Sequence, residues 1–205
     1  MAAPVPPSWA SLPGSVDEGE LGMTTVELRT ERLLLRGWRD EDLEALVELD
    51  SDPEVMRYVG DGKARTREEA AAGFDRFRAT WAELGYGLFA VELAETGELT
   101  GWTGLAVPRF LPEVMPAVEL GWRLFRRHWG RGIATEAARE ALRFGFEDAG
   151  LDRVVSICHV DNEPSRRVME KLGMRQDRLT SVPAHGKQVR VLTITRGEYE
   201  AARSS

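Results

Sequence analysis

The 205-residue chain has little of several features that would assign it to a special class of protein. It has one cysteine, Cys158, so no disulfide can form within the chain, which suits a reducing compartment. No apolar run approaches the roughly 20 residues that a membrane-spanning helix needs. Basic residues are not in excess, because 27 Lys and Arg face 34 Asp and Glu, with a formal net charge of -7. The composition therefore predicts a cytoplasmic protein with no membrane partner and no direct nucleic-acid partner.

The N-terminal segment is rich in proline, small residues and acidic residues. Residues 1–22 have neither an apolar core nor a basic start, so they do not resemble a secretory signal. Because they offer little apolar surface, we expect a disordered tail, and Met23 could be the original start. The following residues 23–200 have the length of one domain, and 42% of the whole chain is hydrophobic. We therefore predict a single globular domain over residues 23–200.

The remainder alternates strand and helix patterns. Apolar and charged residues alternate over residues 26–35, which predicts two strands, and Asp40 is typical of the N-cap of a following helix. Residues 66–69 form a capping-box pattern for a second helix. Turn signals at residues 95–98 and 185–187 predict two hairpins. This pattern indicates a mixed α/β domain.

One segment changes from a strand to a helix across a glycine turn. Residues 117–143, AVELGWRLFRRHWGRGIATEAAREALR, change their hydrophobic period from two to nearly four. Gly130 and Gly132 let the backbone approach a ligand, and the first N–H groups of the helix have no partners within it, so the turn can bind phosphate. It lacks the Lys-Ser/Thr ending of a P-loop and the three-glycine spacing of a dinucleotide fingerprint. Taken alone, the two glycines equally fit a turn without a ligand.

A second segment lies downstream, over residues 154–174. It reads VVSICHVDNEPSRRVMEKLGM and predicts a strand, a loop, a helix and a closing turn at Gly173. Together, WGRGIATEA and NEPSRRVMEKLGM resemble the GNAT superfamily of N-acetyltransferases, most of all its RimJ/RimL-like branch of ribosomal-protein N-terminal acetyltransferases. TERLLLRGWRDEDLEAL and DPEVMRYVG are similar to the first strand and helices of that branch. The resemblance covers roughly residues 26–195, most of the chain.

The resemblance implies a fold and a reaction. The fold would be α/β (α+β), with a central, mostly antiparallel sheet of six to seven strands, splayed between strands 4 and 5 and flanked by helices. The acetyl donor would be acetyl-CoA, without a metal, and a primary amine would attack it directly in a ternary complex. The acceptor would be a ribosomal or other protein N-terminus or a small-molecule amine, and the acidic balance favours a cationic one. Homodimers are common in this branch.

The resemblance also implies which residues bind the cofactor. Backbone groups of the splayed strand would hold the pantetheine arm and polarise the thioester, and the glycine turn would hold the diphosphate. The implied binding residues are Trp122, Arg123, Leu124, Trp129, Gly130, Arg131, Gly132, Ile133, Ala134, Thr135 and Asn162. Trp129 departs from the Gln or Arg that the family often has there, so binding at this position would rest on backbone amides.

Four arginines crowd this segment, namely Arg123, Arg126, Arg127 and Arg131. They fit a solvated strand end, and they equally fit a counter-charge for the phosphates of coenzyme A. Arg131 lies inside the glycine turn and is the strongest candidate. We expect the neighbouring His128 to lie on the surface.

The implied catalytic residues also depart from the common family pattern. Many members have a tyrosine that protonates the departing thiolate, but Met169 occupies that position, so Ser165 is the implied substitute. The acceptor ammonium must lose a proton, and Glu119 is the candidate base. A solvent-facing or salt-bridged glutamate is an equally good interpretation of Glu119, and His159 is a weaker candidate base. Asn162 fits both a ligand to the pantetheine and a helix N-cap.

Two other classes of function stay open. The missing tyrosine also fits a non-catalytic acyl-CoA-binding sensor or assembly module. The glycine turn alone would fit a nucleotide-binding protein. Thiol release from acetyl-CoA in the presence of amines distinguishes an enzyme from the sensor, and the nucleotide-binding protein would bind ATP or NAD without competition from CoA.

Overall fold

A sheet of eight strands organises the computed structural model, which describes residues 26–203. The strands are β1 (Leu28–Arg29), β2 (Leu33–Arg36), β3 (Leu88–Leu93), β4 (Leu99–Ala106), β5 (Glu119–Leu124), β6 (Arg153–His159), β7 (Arg175–Ser181) and β8 (Gln188–Thr195). Their order is β1-β2-β3-β4-β5-β6-β8-β7, and every neighbouring pair except β5 and β6 is antiparallel. The expectations for the tail over residues 1–22 and for Met23 lie outside the described residues.

Helices flank this sheet. They are α1 (Asp42–Ser51), α2 (Pro53–Met56), α3 (Arg67–Leu84), α4 (Ile133–Glu147), α5 (Glu163–Lys171) and α6 (Arg196–Arg203). Short 3-10 turns at residues 112–114 and 126–128 flank β5. Between residues 26 and 203, no helix has both the length and the apolar character to cross a membrane.

The predicted capping box begins α3. The Thr66 hydroxyl accepts a hydrogen bond from the Glu69 amide at 3.2 Å, and the Glu69 carboxylate accepts one from the Thr66 amide at 2.9 Å. Gly85 ends the helix with a φ of 72°, a left-handed conformation that suits glycine. Both ends of α3 are therefore defined by local sequence.

The predicted N-cap of α1 was wrong. Glu41 rather than Asp40 stands at the N-cap, and no side chain caps the helix there. Asp42 instead forms a buried ion pair with Arg36, whose guanidinium also contacts Glu92. The start of α1 is thus anchored to the sheet by charges that lie far apart in the sequence, and a local pattern could not reveal this.

Both faces of the sheet are covered by apolar clusters. Successive residues of β3 alternate between them, since Phe89 belongs to the cluster beneath α4 and Ala90 to the cluster beneath α1 and α3. The α4 face contributes small buried residues such as Ala137 and Ala141, which let the helix lie close to the sheet. This packing fixes the N-terminus of α4 beside the end of β5.

The sheet opens between β5 and β6. Their parallel pairing is limited to Glu119 opposite Val155, whose amide donates to the Val118 carbonyl at 2.9 Å. Further along, the Ser156 hydroxyl donates a hydrogen bond to the Leu120 carbonyl at 2.7 Å, in place of a backbone amide of β6. The expected splay is therefore present. It lies between the fifth and sixth strands of eight, one strand more than expected, because the two-residue β1 is counted separately.

Candidate functional site

A cleft of about 520 Å³ opens where β5 and β6 part. Its walls come from β5, the glycine turn, the start of α4, α5 and the chain that follows α2. It brings together the predicted residues Trp122, Arg123, Leu124, Trp129, Gly130, Gly132, Ile133, Ala134, Thr135, Asn162 and Ser165. The predicted residues Glu119 and Arg131 do not line the cleft, although β5 and the glycine turn, to which they belong, do.

The end of β5 presents free main-chain groups to the cleft. The Gly121 carbonyl accepts a hydrogen bond from the Thr103 hydroxyl of β4 at 3.0 Å, so the odd-numbered residues of β5 turn their backbone groups toward β4. The even-numbered residues turn theirs toward the splay. The amides of Trp122 and Leu124 therefore face the cleft, which Arg123 also lines.

Trp129 lies at the end of this strand. Its indole N–H donates to the Leu124 carbonyl at 2.9 Å, and 49% of the side chain is exposed. Its own amide already donates to the Arg126 carbonyl at 3.0 Å. What Trp129 offers to a ligand is therefore its ring rather than the backbone amide that the sequence suggested.

The glycine turn holds the start of α4 open. Gly130 and Gly132 have φ values of 73° and 80°, which are strained for residues with a Cβ. Gly132 caps α4 without a side-chain hydrogen bond, and the Glu136 amide is the first to bond back, to the Gly132 carbonyl at 3.0 Å. The amides of residues 133–135 thus stand at the positive end of the helix dipole, beside the cleft. Bare donors at this end fit a diphosphate.

Arg131 is oriented by His128, which is held in turn by Glu98. Its Nη1 donates to the His128 Nδ1 at 3.1 Å, so the neutral ring carries its proton on Nε2, 3.0 Å from the Glu98 carboxylate. His128 is only 2% exposed, so the expectation of a surface histidine was wrong. The ring connects the glycine turn to the β3–β4 hairpin, which contains Glu98.

The other three crowded arginines have acidic partners. These are Asp50 for Arg123, Asp52 for Arg126, and both Glu48 and Glu98 for Arg127. Arg131 has no carboxylate partner among residues 26–203. It is therefore the arginine of this group that is available to a phosphate.

The start of α5 lies across the cleft from the glycine turn. Asn162 caps this helix, because its side-chain oxygen accepts a hydrogen bond from the Ser165 amide at 3.2 Å. Ser165 is partly buried and lines the cleft. Met169 is 1% exposed and packs in the core, so it takes no part in the site. The N-cap interpretation of Asn162 is correct, and its position in the cleft wall also leaves it within reach of a ligand.

Glu119 lies where the two strands begin to part. Burial raises the pKa of its carboxyl to about 8, and a hydrogen bond from the Ile157 amide acts in the opposite direction. No cation of the described part of the chain forms an ion pair with it, so the salt-bridged interpretation does not hold. A carboxyl with this pKa is largely protonated at neutral pH, and its ionised form, which can accept the proton of an α-ammonium group, becomes prevalent near pH 8.

Sequence reasoning missed a group of contacts that hold the glycine turn from behind. Arg32, in the turn between β1 and β2, binds the Glu136 carboxylate at 2.6 Å and donates to the Arg131 carbonyl at 3.2 Å. Glu136 is in the first turn of α4 and also accepts from the Thr30 hydroxyl at 2.6 Å. No local signal could reveal this contact, because its partners lie about a hundred residues apart.

Tyr58 was also missed, and it bears on the choice of base. The ring lines the cleft and stacks on His159, with centroids 5.4 Å apart. The His159 Nδ1 accepts from the Asp161 amide at 3.2 Å, and the imidazole does not line the cleft. Neither His159 nor Glu119 lines the cleft, so the preference for Glu119 rests on its raised pKa. No group of three or more His, Cys, Asp or Glu within residues 26–203 is placed to hold a metal ion.

The comparison with protein families shows the family to which the chain belongs. The sequence model described as the acetyltransferase (GNAT) domain matches residues 32–175, which is more than half of the chain. The chain belongs to the GNAT acetyltransferase family.

Individual relatives agree with this assignment. YnaD of Bacillus subtilis (strain 168), an uncharacterized N-acetyltransferase, is 33% identical over 152 residues, covering 74% of this chain and 84% of YnaD. The FsC-acetyl coenzyme A-N(2)-transacetylase of Aspergillus fumigatus is 37% identical over 157 residues, covering 72% of this chain and 64% of that protein. The crystal structure of the acetyltransferase from Agrobacterium tumefaciens str. C58 is similar with a TM-score of 0.71 at 30% identity, covering 85% and 98% of the two chains.

Family membership confirms the predicted GNAT fold, the enzyme class and the donor. The protein is an acetyltransferase that uses acetyl-CoA and acts on amines. The relatives that are N-acetyltransferases support an enzyme over the sensor and the nucleotide-binding protein that the sequence left open.

Proposed function

We propose that acetyl transfer takes place in the cleft between β5 and β6. The amides of Trp122 and Leu124 hold the pantetheine arm, and the turn over residues 129–135 surrounds the diphosphate. Acetyl-CoA, when bound, supplies an acetyl group activated as a thioester. The main support is the set of unpaired amides at residues 133–135, which lie beside Arg131 at the positive end of α4.

Two side chains move the protons. In its ionised form, which becomes prevalent near pH 8, Glu119 accepts the proton of the acceptor ammonium, whose pKa is similar. Ser165 supplies a proton to the departing thiolate from the opposite wall, where Asn162 fixes the start of α5. The main-chain amides of β5 polarise the thioester carbonyl, and they do so without rearrangement because the strand holds them in place.

The acceptor is a primary amine, either a protein N-terminus or a small molecule. The RimJ/RimL-like motifs WGRGIATEA and NEPSRRVMEKLGM support the first class, with a ribosomal protein N-terminus as its leading member. We place the reaction in the cytoplasm, in keeping with the single cysteine, and include a homodimer in the proposal.

An acceptor screen tests this function. The protein is incubated with acetyl-CoA and a panel of N-terminal peptides, polyamines, amino acids and amino sugars, and mass spectrometry records the gain of one acetyl group. With the best acceptor, Glu119→Gln should lower kcat/KM by about 10²- to 10⁴-fold, the range of general acid–base catalysis, and Ser165→Ala should lower it less.

Two exposed positions provide matched controls. Glu113→Gln and Ser181→Ala make the same chemical changes away from the cleft and should leave kcat/KM unchanged. If Glu119→Gln and Ser165→Ala behave like these controls, the assigned proton carriers are wrong. If no amine gains an acetyl group, the proposed reaction itself is wrong.

A further inference from the structure

The cleft has one wall on each face of the sheet. Val55 of α2 packs in the apolar cluster beneath α1 and α3, whereas Met169 of α5 packs in the cluster beneath α4. The proposed site for acetyl-CoA uses β5, the glycine turn and the start of α5, and it leaves the wall at α2 unused. The residues of this α2 wall are Glu54, Val55, Arg57, Tyr58 and Val59. The α2 wall is therefore available to the acceptor.

The α2 wall is anchored beside both of the strands that part. The Asp52 carboxylate, which caps α2, pairs with the Arg126 Nε just after β5 at 2.7 Å. At the other end of the wall, the Tyr58 ring stacks on His159, the last residue of β6, with the ring centroids 5.4 Å apart. The wall therefore crosses the opening between β5 and β6, and it can contact a molecule that is held there.

The candidate base lies on the same face of the sheet as the α2 wall. The side chains of β5 alternate between the two faces. Trp122 packs against the cluster beneath α4, whereas the Arg123 guanidinium lies 4.9 Å from the ring centre of Trp102, in the cluster beneath α1 and α3. Glu119 is an even number of residues from Arg123, so its side chain shares that second face. An amine that reaches Glu119 therefore comes from the side of the sheet on which the α2 wall lies.

The α2 wall has no carboxylate free to bind a cation. Glu54 is the only carboxylate of residues 26–203 that lines the cleft, and it lies 3.9 Å from the Arg57 guanidinium. Four cations line the same cleft, namely Arg57, Arg123, Arg167 and Lys171. The cleft is thus cationic, although the whole chain has a formal net charge of -7. A second ammonium group on the acceptor would meet like charges here, which opposes its binding.

The surface between these charged groups is apolar. Val55 is 8% exposed, and Tyr58 and Val59 are partly buried. Because the stack on His159 holds the Tyr58 ring, this surface is formed before an acceptor binds. An alkyl or aromatic group that packs against the surface is removed from water, which favours binding.

We propose that the α2 wall binds the part of the acceptor next to its amine, and that this part is apolar and uncharged. The reacting ammonium group is then the only cation of the acceptor at this site. A protein N-terminus followed by apolar side chains and a small alkyl- or arylalkylamine share this chemistry, whereas a polyamine lacks it. The inference rests on the proposed function, because it places the amine at Glu119. This substrate class differs from the polycationic acceptor that the net charge of the chain favours.

Two pairs of matched acceptors test the inference. n-Heptylamine is compared with hexamethylenediamine, which has the same length but ends in a second ammonium group. An N-terminal peptide with norleucine at its second position is compared with the same peptide with lysine there. In the pair that matches the true acceptor, we expect the uncharged member to have a kcat/KM about 10- to 100-fold above that of the charged member, with most of the difference in KM. The two pairs distinguish a small-molecule acceptor from a protein N-terminus.

A carboxylate introduced into the α2 wall should remove this preference. Val59→Glu gives a second ammonium group a partner and should lower the ratio of uncharged to charged acceptor by about 10- to 100-fold, the scale of one hydrogen bond between charged groups. Val59→Gln has the same size without the charge and should keep the ratio well above one. Leu179→Glu adds the same charge at an exposed position of β7, at the edge of the sheet, and should leave the ratio unchanged. Each ratio is measured within one variant, so a general loss of activity or stability does not affect it.

Binding without turnover separates the two proposals. Ligand-observed NMR titrations of the CoA-bound protein should show the uncharged member of a pair binding more tightly than the charged member, even if no acetyl group is transferred. Such a preference without transfer would contradict the catalytic proposal and leave the role of the α2 wall standing. Equal binding of both members, tighter binding of the charged member, a preference that Val59→Glu leaves intact, or binding of no member of either pair would overturn this role, whatever the enzyme acetylates.

Discussion

At the scale of single residues, Glu119 has the environment of a functional carboxyl. A surface carboxylate beside a cation can have a lowered pKa, as Glu44 has beside Arg67. Glu119 has no such cation, and burial raises its pKa to about 8. Ionisation of a carboxyl with a raised pKa lowers the free energy of unfolding of the protein. Groups with such shifted pKa values are often found at catalytic sites.

This cost predicts how stability depends on pH. In the unfolded chain Glu119 releases its proton near its ordinary pKa of 4.5, whereas the folded protein keeps it until about pH 8. Between these values the unfolded state holds fewer protons, so the free energy of unfolding of the wild type falls as pH rises. Glu119→Gln removes this slope and should become more stable relative to the wild type from about pH 4.5 to about pH 8, with no further gain above.

Urea denaturation at several pH values measures the effect. The exposed Glu113→Gln serves as the control, and its difference from the wild type should not follow this course. A difference between Glu119→Gln and the wild type that stays constant over the whole window would show that Glu119 is ionised at neutral pH in the folded protein.

At the scale of elements, the junction of β5 and α4 carries the cofactor site. At the end of β5, the Leu124 carbonyl accepts a hydrogen bond from the Trp129 indole. The chain then turns through Gly132, and α4 begins without a side-chain cap. The helix start is left unpaired, which is unfavourable in the free protein and useful only when an anion is bound. The hydrogen bond from Arg32 to the Arg131 carbonyl holds this geometry before any ligand binds.

The left-handed backbone of Gly132 gives a direct test of this element. A Cβ there would find space, since the nearest atom, on Arg32, lies 3.5 Å away, so the cost of Gly132→Ala comes from its φ of 80°. We expect a loss of about 1–2 kcal/mol in the free energy of unfolding, together with weaker binding of acetyl-CoA as the turn shifts. Denaturation and calorimetry measure the two effects.

Gly197→Ala, at an open position of α6, is the matched control and should weaken neither. If Gly132→Ala binds acetyl-CoA as tightly as the wild type, the glycine turn does not hold the diphosphate. Loss of stability alone would then reflect only backbone strain.

At the scale of the whole molecule, local patterns predicted the order of elements and the place of the cleft. The capping box at Thr66, the glycine turn and the N-cap at Asn162 act within a few residues, so the sequence displays them. The pairing of Arg123 with Asp50 joins positions 73 residues apart, and only the folded sheet brings them together. The burial of His128 escaped prediction for the same reason, because its partner Glu98 lies on another hairpin.

The central claim is that this sheet opening is a specific site for acetyl-CoA. Titration calorimetry of acetyl-CoA into the full-length protein tests it most directly. We predict one site per chain with a dissociation constant below about 1 mM, unaffected by excess ATP or NAD. The absence of binding heat at about 1 mM acetyl-CoA, or its loss in the presence of ATP or NAD, would contradict the claim.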